Sequence, residues 1–331
     1  MTTELEQYIR RMPKVELHVH LQGATQPQTL LELARRNNMR LPFDTVEGLR
    51  SWYAFTDFGH FIDIYLQACA CMRTADDIEF ITREFLRVQA VQNIVWSEVT
   101  YTAWLHRQVP WADQLTAIRR ARAWAVAEFN IDMGLIVDIP RNIAPEEGLT
   151  VAEWVCQDHG DLVLALGLGG PEIGHPPEKF ADAFALARSA GVPCILHAGE
   201  TMGPESIWSA IRVADTCRIG HGVRCVEDPT LVAYLREHQI PLEVCPTSNV
   251  CLKIYSSLAQ HTLPQLLRAG LYVTINSDDP PMFNTSLTDE YIVCAREYGW
   301  DKDTIKHFVQ NAARASLLNG DAKASLLQRL A

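Results

Sequence analysis

The chain has 331 residues, with 29 Lys and Arg against 40 Asp and Glu, a formal net charge of −11 and 48% apolar residues. That balance excludes general affinity for nucleic acid or anionic lipid, which needs basic patches, and leaves neutral small molecules open as ligands. No segment approaches the ~20 consecutive apolar residues of a membrane span, and the nine scattered Cys form neither a C-x-x-C pair nor an even, dense disulfide framework.

Residues 1–14 are polar and lack the apolar core of a signal peptide, so a reduced, cytoplasmic protein is expected. Residues 15–20 form the first of eight short apolar runs; the others are 94–101, 134–139, 162–168, 193–197, 218–220, 242–245 and 271–276. Runs without polar alternation predict parallel strands covered on both faces. Amphipathic stretches between them, such as 75–90, 111–128, 177–190 and 231–237, predict helices. Eight strands alternating with helices predict an α/β fold, a (β/α)₈ TIM barrel spanning 1–331 as a single domain, with an open doubly wound sheet as the competing architecture. The segment 26–72 is too long for one crossover helix and predicts extra helices over the C-terminal face of the barrel. Its Trp52, Tyr53, Phe55, Phe58 and Phe61 either line a ligand lid or pack those helices together. Cys69 and Cys71 lie in a helical pattern with Met and Ala neighbours, which favours core packing over a soft-metal site.

Polar residues gather at the C-terminal ends of the runs, the end that carries the active site in barrel enzymes. The first run ends in His18-Val19-His20, and alternate strand residues share a face, so both imidazoles point into the barrel mouth. H-x-H by itself is a weak metal signal. The fifth run, however, ends in His197, and the eighth is followed by Asp278 and Asp279. Three imidazoles and a carboxylate suit Zn²⁺, with one position left for water. Such an ion lowers the pKa of its water towards ~7. His221, between Gly220 and Gly222, is a base or electrostatic guide for that water, or else a satisfied buried histidine. Glu200 follows His197 closely and could protonate a substrate ring nitrogen if burial raised its pKa, or else carry charge at a helix start. One of the two adjacent Asp can bind metal while the other accepts a hydrogen bond from substrate. Gly167-Leu168-Gly169-Gly170 lacks the G-x-G-x-x-G spacing of a dinucleotide site; bare backbone there can meet a flat ligand. The chain has no G-x-S-x-G elbow, no Walker loop and no P-C-x-x-C of the cytidine-type zinc deaminases.

Five motifs, in order along the chain, carry a resemblance. They are Pro13-Lys14-Val15-Glu16-Leu17-His18-Val19-His20-Leu21, His197-Ala198-Gly199-Glu200, Arg218-Ile219-Gly220-His221-Gly222, Glu243-Val244-Cys245-Pro246-Thr247-Ser248-Asn249 and Asn276-Ser277-Asp278-Asp279-Pro280. Together they resemble the adenosine deaminase family of metal-dependent amidohydrolases. The resemblance implies a (β/α)₈ barrel with one Zn²⁺ held by His18, His20, His197 and Asp278. It implies Glu200 as proton donor to purine N1, and His221 as the residue that orients or deprotonates the water. It makes Asp279 an acceptor on the purine edge and Gly170 a backbone donor to a purine nitrogen, and it places His20 and Gln22 against the substrate. The implied reaction is hydroxide attack on C6 and loss of ammonia, turning an adenine ring into a hypoxanthine ring.

Three positions depart from the family pattern. Gln22 stands where adenosine deaminases have Asp near the ribose 5′-hydroxyl and adenine deaminases have Glu. Glu98-Val99-Thr100-Tyr101 lacks the Arg of the usual E-x-R, and Gly167 replaces the Asp of D-L-x-G. The expected partner is therefore adenosine, a 5′-modified adenosine of the methylthioadenosine or aminodeoxyfutalosine type, or free adenine. Another amidohydrolase reaction and a non-catalytic relative are the remoter alternatives.

Overall fold

A computed structural model describes residues 2–330. Its sheet contains β1 (Lys14–His20), β2 (Ile94–Tyr101), β3 (Asp132–Pro140), β4 (Val163–Gly169), β5 (Cys194–Ala198), β6 (Arg218–His221), β7 (Leu242–Val244) and β8 (Val273–Ile275). All neighbours pair in parallel and the strand order follows the chain. The barrel expected from sequence is the observed architecture, and the open sheet is not. The strands are buried on both faces almost throughout, which is why they read as continuous apolar runs.

Closure between β8 and β1 is made largely by side chain and loop. Beyond Ile275 the Asn276 Oδ1 accepts from the backbone N–H of Leu17 and His18 at 2.9 and 3.1 Å. The His20 N–H then donates to the Asp278 carbonyl at 2.9 Å, and the Asp278 N–H to the His18 carbonyl at 3.1 Å. These bonds lock two metal-type motifs, distant in sequence, into one register.

The helices begin and end where local chemistry dictates. Thr74 and Asp77 form a reciprocal capping box at the start of helix Ala75–Val91. Helix Trp111–Phe129 stops at Asn130, which adopts the left-handed conformation with φ 55°. The stretch 177–190 divides into a 3₁₀ turn, Pro177–Phe180, and helix Ala181–Ser189. The stretch 231–237 is the middle of helix Pro229–His238, which the Asp228 side chain opens by accepting from the Thr230 N–H.

The inserted segment folds into helices Pro27–Arg36, Val46–Trp52 and Phe58–Cys69. Its aromatic residues divide between the two expected roles. Phe58 and Phe61 line a cavity at the barrel mouth. Phe55 packs edge-on against Phe61 at 5.3 Å and Phe283 at 5.9 Å, and Trp52 stacks on Tyr53. Cys69 and Cys71 are buried free thiols in the core. No helix among the described residues is long and apolar enough to cross a membrane.

Candidate active site

The ends of β1 and β5 and the turn after β8 bring His18, His20, His197 and Asp278 together, with one ligand atom of each within 4.8 Å of the others. Outer contacts aim these groups. His18 Nδ1 lies 2.8 Å from Glu243 Oε2, and His197 Nδ1 lies 3.0 Å from the Leu168 carbonyl. Both partners only accept, so each ring carries a hydrogen on Nδ1 and turns its Nε2 inward. His18 Nε2 is buried without a protein partner. His20 Nε2 stands 3.1 Å from His197 Nε2 and 3.2 Å from Asp278 Oδ1. Inward-facing nitrogens beside a carboxylate form a donor set that fits a divalent cation of the Zn²⁺ type. Asp278 Oδ2 accepts from the Ser248 hydroxyl at 2.6 Å, fixing the carboxylate plane.

Backbone shape serves the same end. Asp278 and His221 adopt left-handed φ values of 66° and 61°, a conformation that side-chain-bearing residues hold only where the surroundings enforce it. A Cβ on Gly220 would lie 2.8 Å from His18 Cε1, so the glycine makes room for a metal-type imidazole.

The acid–base groups differ from one another through their neighbours. Against burial, the neighbouring His18 and His20 imidazoles hold Asp278 well below the ordinary carboxylate range. Burial, then the Asp278 charge, pushes Asp279 well above it, and its Oδ1 has no partner. The adjacent pair is thus biased in opposite directions, Asp278 towards the anion and Asp279 towards the acid. Glu200 is also pushed well up, by burial and then by the charges of Asp278 and Glu172. Its Oε1, without a hydrogen-bond partner, lies 3.7 Å from His221 Nε2. Burial pushes the His221 imidazole down to about 4, so that ring is neutral.

Glu172 lies behind Glu200. Its carboxylate accepts the backbone N–H of Gly199, Glu200, Thr201 and Met202 at 2.9, 2.9, 2.7 and 3.2 Å. It also accepts the Ser206 hydroxyl. These donors precede or open helix Pro204–Ala214, and a single anion organises the whole turn. Burial opposes its charge, but Arg141 and these bonds hold the carboxyl below its usual range. Arg141, itself buried, donates to the His197 carbonyl at 2.5 Å.

A cavity opens over these groups. Its floor holds His20, His197, Glu200, His221, Asp278, Asp279 and Gly170, and its outer wall is Phe58, Phe61, Ile62, Tyr65, Leu66 and Leu105. Thr102, Asp138 and Asn142 add polar groups, and no Lys or Arg lines it among the described residues. Gln22 is not in that lining. It is buried, donates from Nε2 to the Thr102 carbonyl at 3.2 Å and accepts the Thr102 N–H at 3.4 Å. It thus braces a residue that does face the cavity.

Asp138 and Glu172 were not singled out from sequence, and Glu243, which opens one of the five motifs, was given no role. Asp138 had a signal, a lone acid near the end of an apolar run. It is buried, and its Oδ1 has no partner. A Cβ on Gly169 would lie 2.5 Å from Asp138 Oδ2, and one on Gly167 would lie 3.0 Å from Asp138 Cβ. The glycine that replaces the Asp of D-L-x-G therefore makes room for a carboxylate from the neighbouring strand.

A parallel barrel with a His/Asp cluster and a buried acid at its mouth defines a hydrolase of the amidohydrolase kind. Residues 13–331 match the model of the family described as adenosine deaminase, and the chain belongs to that family. It is 39% identical to the aminodeoxyfutalosine deaminase of Streptomyces avermitilis over 328 residues, covering 98% of this chain and 91% of that one. It is 37% identical to the adenine deaminase of Crocosphaera subtropica over 320 residues, covering 96% and 98%. Among solved structures, adenine deaminase from Arthrobacter aurescens superposes with a TM-score of 0.91 at 33% identity, covering 96% of this chain and 98% of that one. An amidohydrolase from Burkholderia ambifaria with bound Zn superposes with a TM-score of 0.89 at 26% identity, covering 98% and 91%. The chain is a hydrolytic deaminase that acts on a purine ring.

Proposed function

We propose that this enzyme removes ammonia from the adenine ring of a nucleoside extended at its 5′ position, of the aminodeoxyfutalosine kind. The cavity lining carries the reading: an apolar wall of Phe58, Phe61, Ile62, Tyr65, Leu66 and Leu105 faces the polar groups. A free base has nothing to place against that wall, and a 5′-phosphate would meet no cation there. Asp138, Thr102 and Asn142 line the same cavity and offer hydrogen-bonding groups to a sugar. The relatives named aminodeoxyfutalosine deaminase support the same substrate class. Free adenine is the second reading, favoured by the relatives named adenine deaminase.

His18, His20, His197 and Asp278 would hold one Zn²⁺, which supplies Lewis acidity and lowers the pKa of water towards ~7. Glu200 keeps its carboxyl protonated and gives that proton to ring N1 as C6 becomes tetrahedral. Asp279 offers a proton to the purine edge, where ring nitrogens carry lone pairs; the sequence reading has it accept instead. Gly170, with φ 93°, turns its bare backbone to the cavity and presents its N–H to a ring nitrogen. His221 orients the attacking oxygen. Over the cycle water supplies two hydrogens: one restores the Glu200 carboxyl after its proton has gone to N1, and the other leaves on the ammonia.

The test is ammonia release by the Zn²⁺-loaded protein on adenosine, 2′-deoxyadenosine, adenine, methylthioadenosine and aminodeoxyfutalosine, each with a chelated control. Turnover highest on a 5′-extended nucleoside is expected. Turnover confined to adenine would replace this reading with the second one, and silence across the panel would remove both.

A further inference from the structure

A chain of hydrogen bonds runs behind His221, and it starts at a donor with only one possible role. Leu263 opens helix Leu263–Arg268, and its backbone N–H lies 2.9 Å from His261 Nδ1. A backbone N–H can only donate, so His261 Nδ1 is the unprotonated nitrogen and the hydrogen of the neutral ring is on Nε2. That Nε2 stands 3.1 Å from Asn249 Oδ1, which accepts. The same amide then points Nδ2, a donor only, at His221 Nδ1 across 3.3 Å. His221 Nδ1 must accept.

Every alternative assignment sets two donors against each other. Turning the Asn249 amide over would aim its N–H₂ at the His261 Nε2–H. Protonating both nitrogens of His221 would aim Nδ1–H at the Asn249 amide hydrogens. His221, Asn249 and His261 are all buried, so bulk water cannot stand in as a partner. Tyr255 holds the His261 ring from one side, with centroids 4.5 Å apart. Asn249 is carried on the helical turn Pro246–Cys251, whose Ser248 binds Asp278. On its other side His221 Nε2 faces the cavity, 3.7 Å from Glu200 Oε1 and 4.0 Å from Asp278 Oδ2.

We infer that Asn249 and His261 are positioning residues that fix the imidazole of His221 with its hydrogen on Nε2, so that His221 meets the attacking oxygen as a hydrogen-bond donor and not as its base. A nitrogen that already bears a hydrogen has no lone pair in the ring plane to take another. What it can do is steady negative charge as it grows on the attacking oxygen. The functional half of this inference rests on the proposed deamination; the tautomer rests on the hydrogen bonds.

The experiment uses the full chain labelled with ¹⁵N-histidine, with and without added Zn²⁺, and a two-bond ¹H–¹⁵N correlation spectrum at neutral pH. The His221 signals are those lost in His221→Asn, a residue that tolerates the left-handed backbone. Expected in the wild type are an unprotonated Nδ1 and a protonated Nε2. Asn249→Asp has no hydrogen to give, so it should accept from Nδ1–H and invert the pattern. Its kcat should fall about 10²–10³-fold, the scale of one lost oxyanion donor, with KM changed less than about threefold. His261→Gln retains an N–H towards Asn249 and should keep both the tautomer and most of kcat, whereas His261→Leu should lose both. A wild-type spectrum with the hydrogen on Nδ1 overturns the inference, even if Asn249→Asp fails to fold. So does an Asn249→Asp enzyme that inverts the tautomer yet keeps kcat within about threefold. A wild type silent on every purine would sink the deaminase reading while the spectrum still decides the tautomer.

Discussion

Gly23 has no side chain because Asp279 occupies the space one would need. A Cβ there would lie 1.5 Å from Asp279 Oδ1 and 2.5 Å from its Cγ. Gly23→Ala should therefore displace Asp279, lower kcat/KM by about 100-fold and cost about 1–3 kcal/mol of stability in urea unfolding. Wild-type turnover in that variant would mean that the position of Asp279 is immaterial. Glu200→Gln keeps the shape of the side chain but removes its acidic proton. Its kcat should fall by about 10²–10⁴-fold while bound metal, measured by elemental analysis, stays at the wild-type level. Glu200 and Asp279 were legible as candidates because acids and histidines at strand ends stand out against apolar runs, whereas Gly23 was not. Asp138 and Glu172 were not legible either, because a lone acid gains its meaning from spatial neighbours. Asp138 acquires one from the bare backbone of Gly169, and Glu172 from four N–H groups about thirty residues further along the chain. The opposite shifts of Asp278 and Asp279 are likewise a matter of which one lies beside His18 and His20.

At the scale of elements, the middles of the strands were legible and their ends were not. The run 271–276 shrinks to Val273–Ile275 because the Asn276 side chain, rather than further ladder, binds β1. Helix Phe58–Cys69 shows why the aromatic segment was ambiguous. Phe58, Phe61, Ile62, Tyr65 and Leu66 share one helical face and line the cavity, while Phe61 also packs against Phe55 and Phe283. A second contact between elements has a testable pH signature. Glu290 of helix Leu287–Tyr298 accepts the Thr247 N–H at 3.1 Å and the Thr285 hydroxyl at 2.5 Å, which ties that helix to the turn carrying Ser248 and Asn249. Burial pushes its carboxyl from 4.5 up to about 7. Between those values the folded chain keeps a proton that the unfolded chain releases, so this group's stability contribution falls as pH rises through the window. At 1.36 kcal/mol per pKa unit the loss is on the order of 2–3 kcal/mol. Urea unfolding from pH 4.5 to 7 should show wild-type stability falling relative to Glu290→Gln by about that amount. A constant difference would mean that Glu290 stays ionised throughout.

For the whole molecule, the cluster of His18, His20, His197 and Asp278 is also a fastening. It joins β1 and β5 to the turn after β8, and part of that span, the β8–β1 seam, is closed by side-chain and loop hydrogen bonds rather than by a long ladder. The four ligand atoms meet only in the folded chain, so an ion bound there stabilises folding by mass action. At a free ion concentration of about a thousand times Kd, the gain is about 4 kcal/mol. With about 2.1 cal/mol/K of unfolding entropy per residue, each kcal/mol moves the Tm of a chain this long by about 1.5 °C, so stripping the ion should lower Tm by about 6 °C in calorimetry. His197→Ala removes one ligand and should have a lower Tm that no longer responds to chelator. A chelator shift of wild-type size in that variant would mean that the stabilising ion sits elsewhere. An unresponsive wild type would mean that the hydrogen bonds of Asn276, Ser248 and Glu243 hold the mouth in place without an ion, and that any metal there serves the chemistry only.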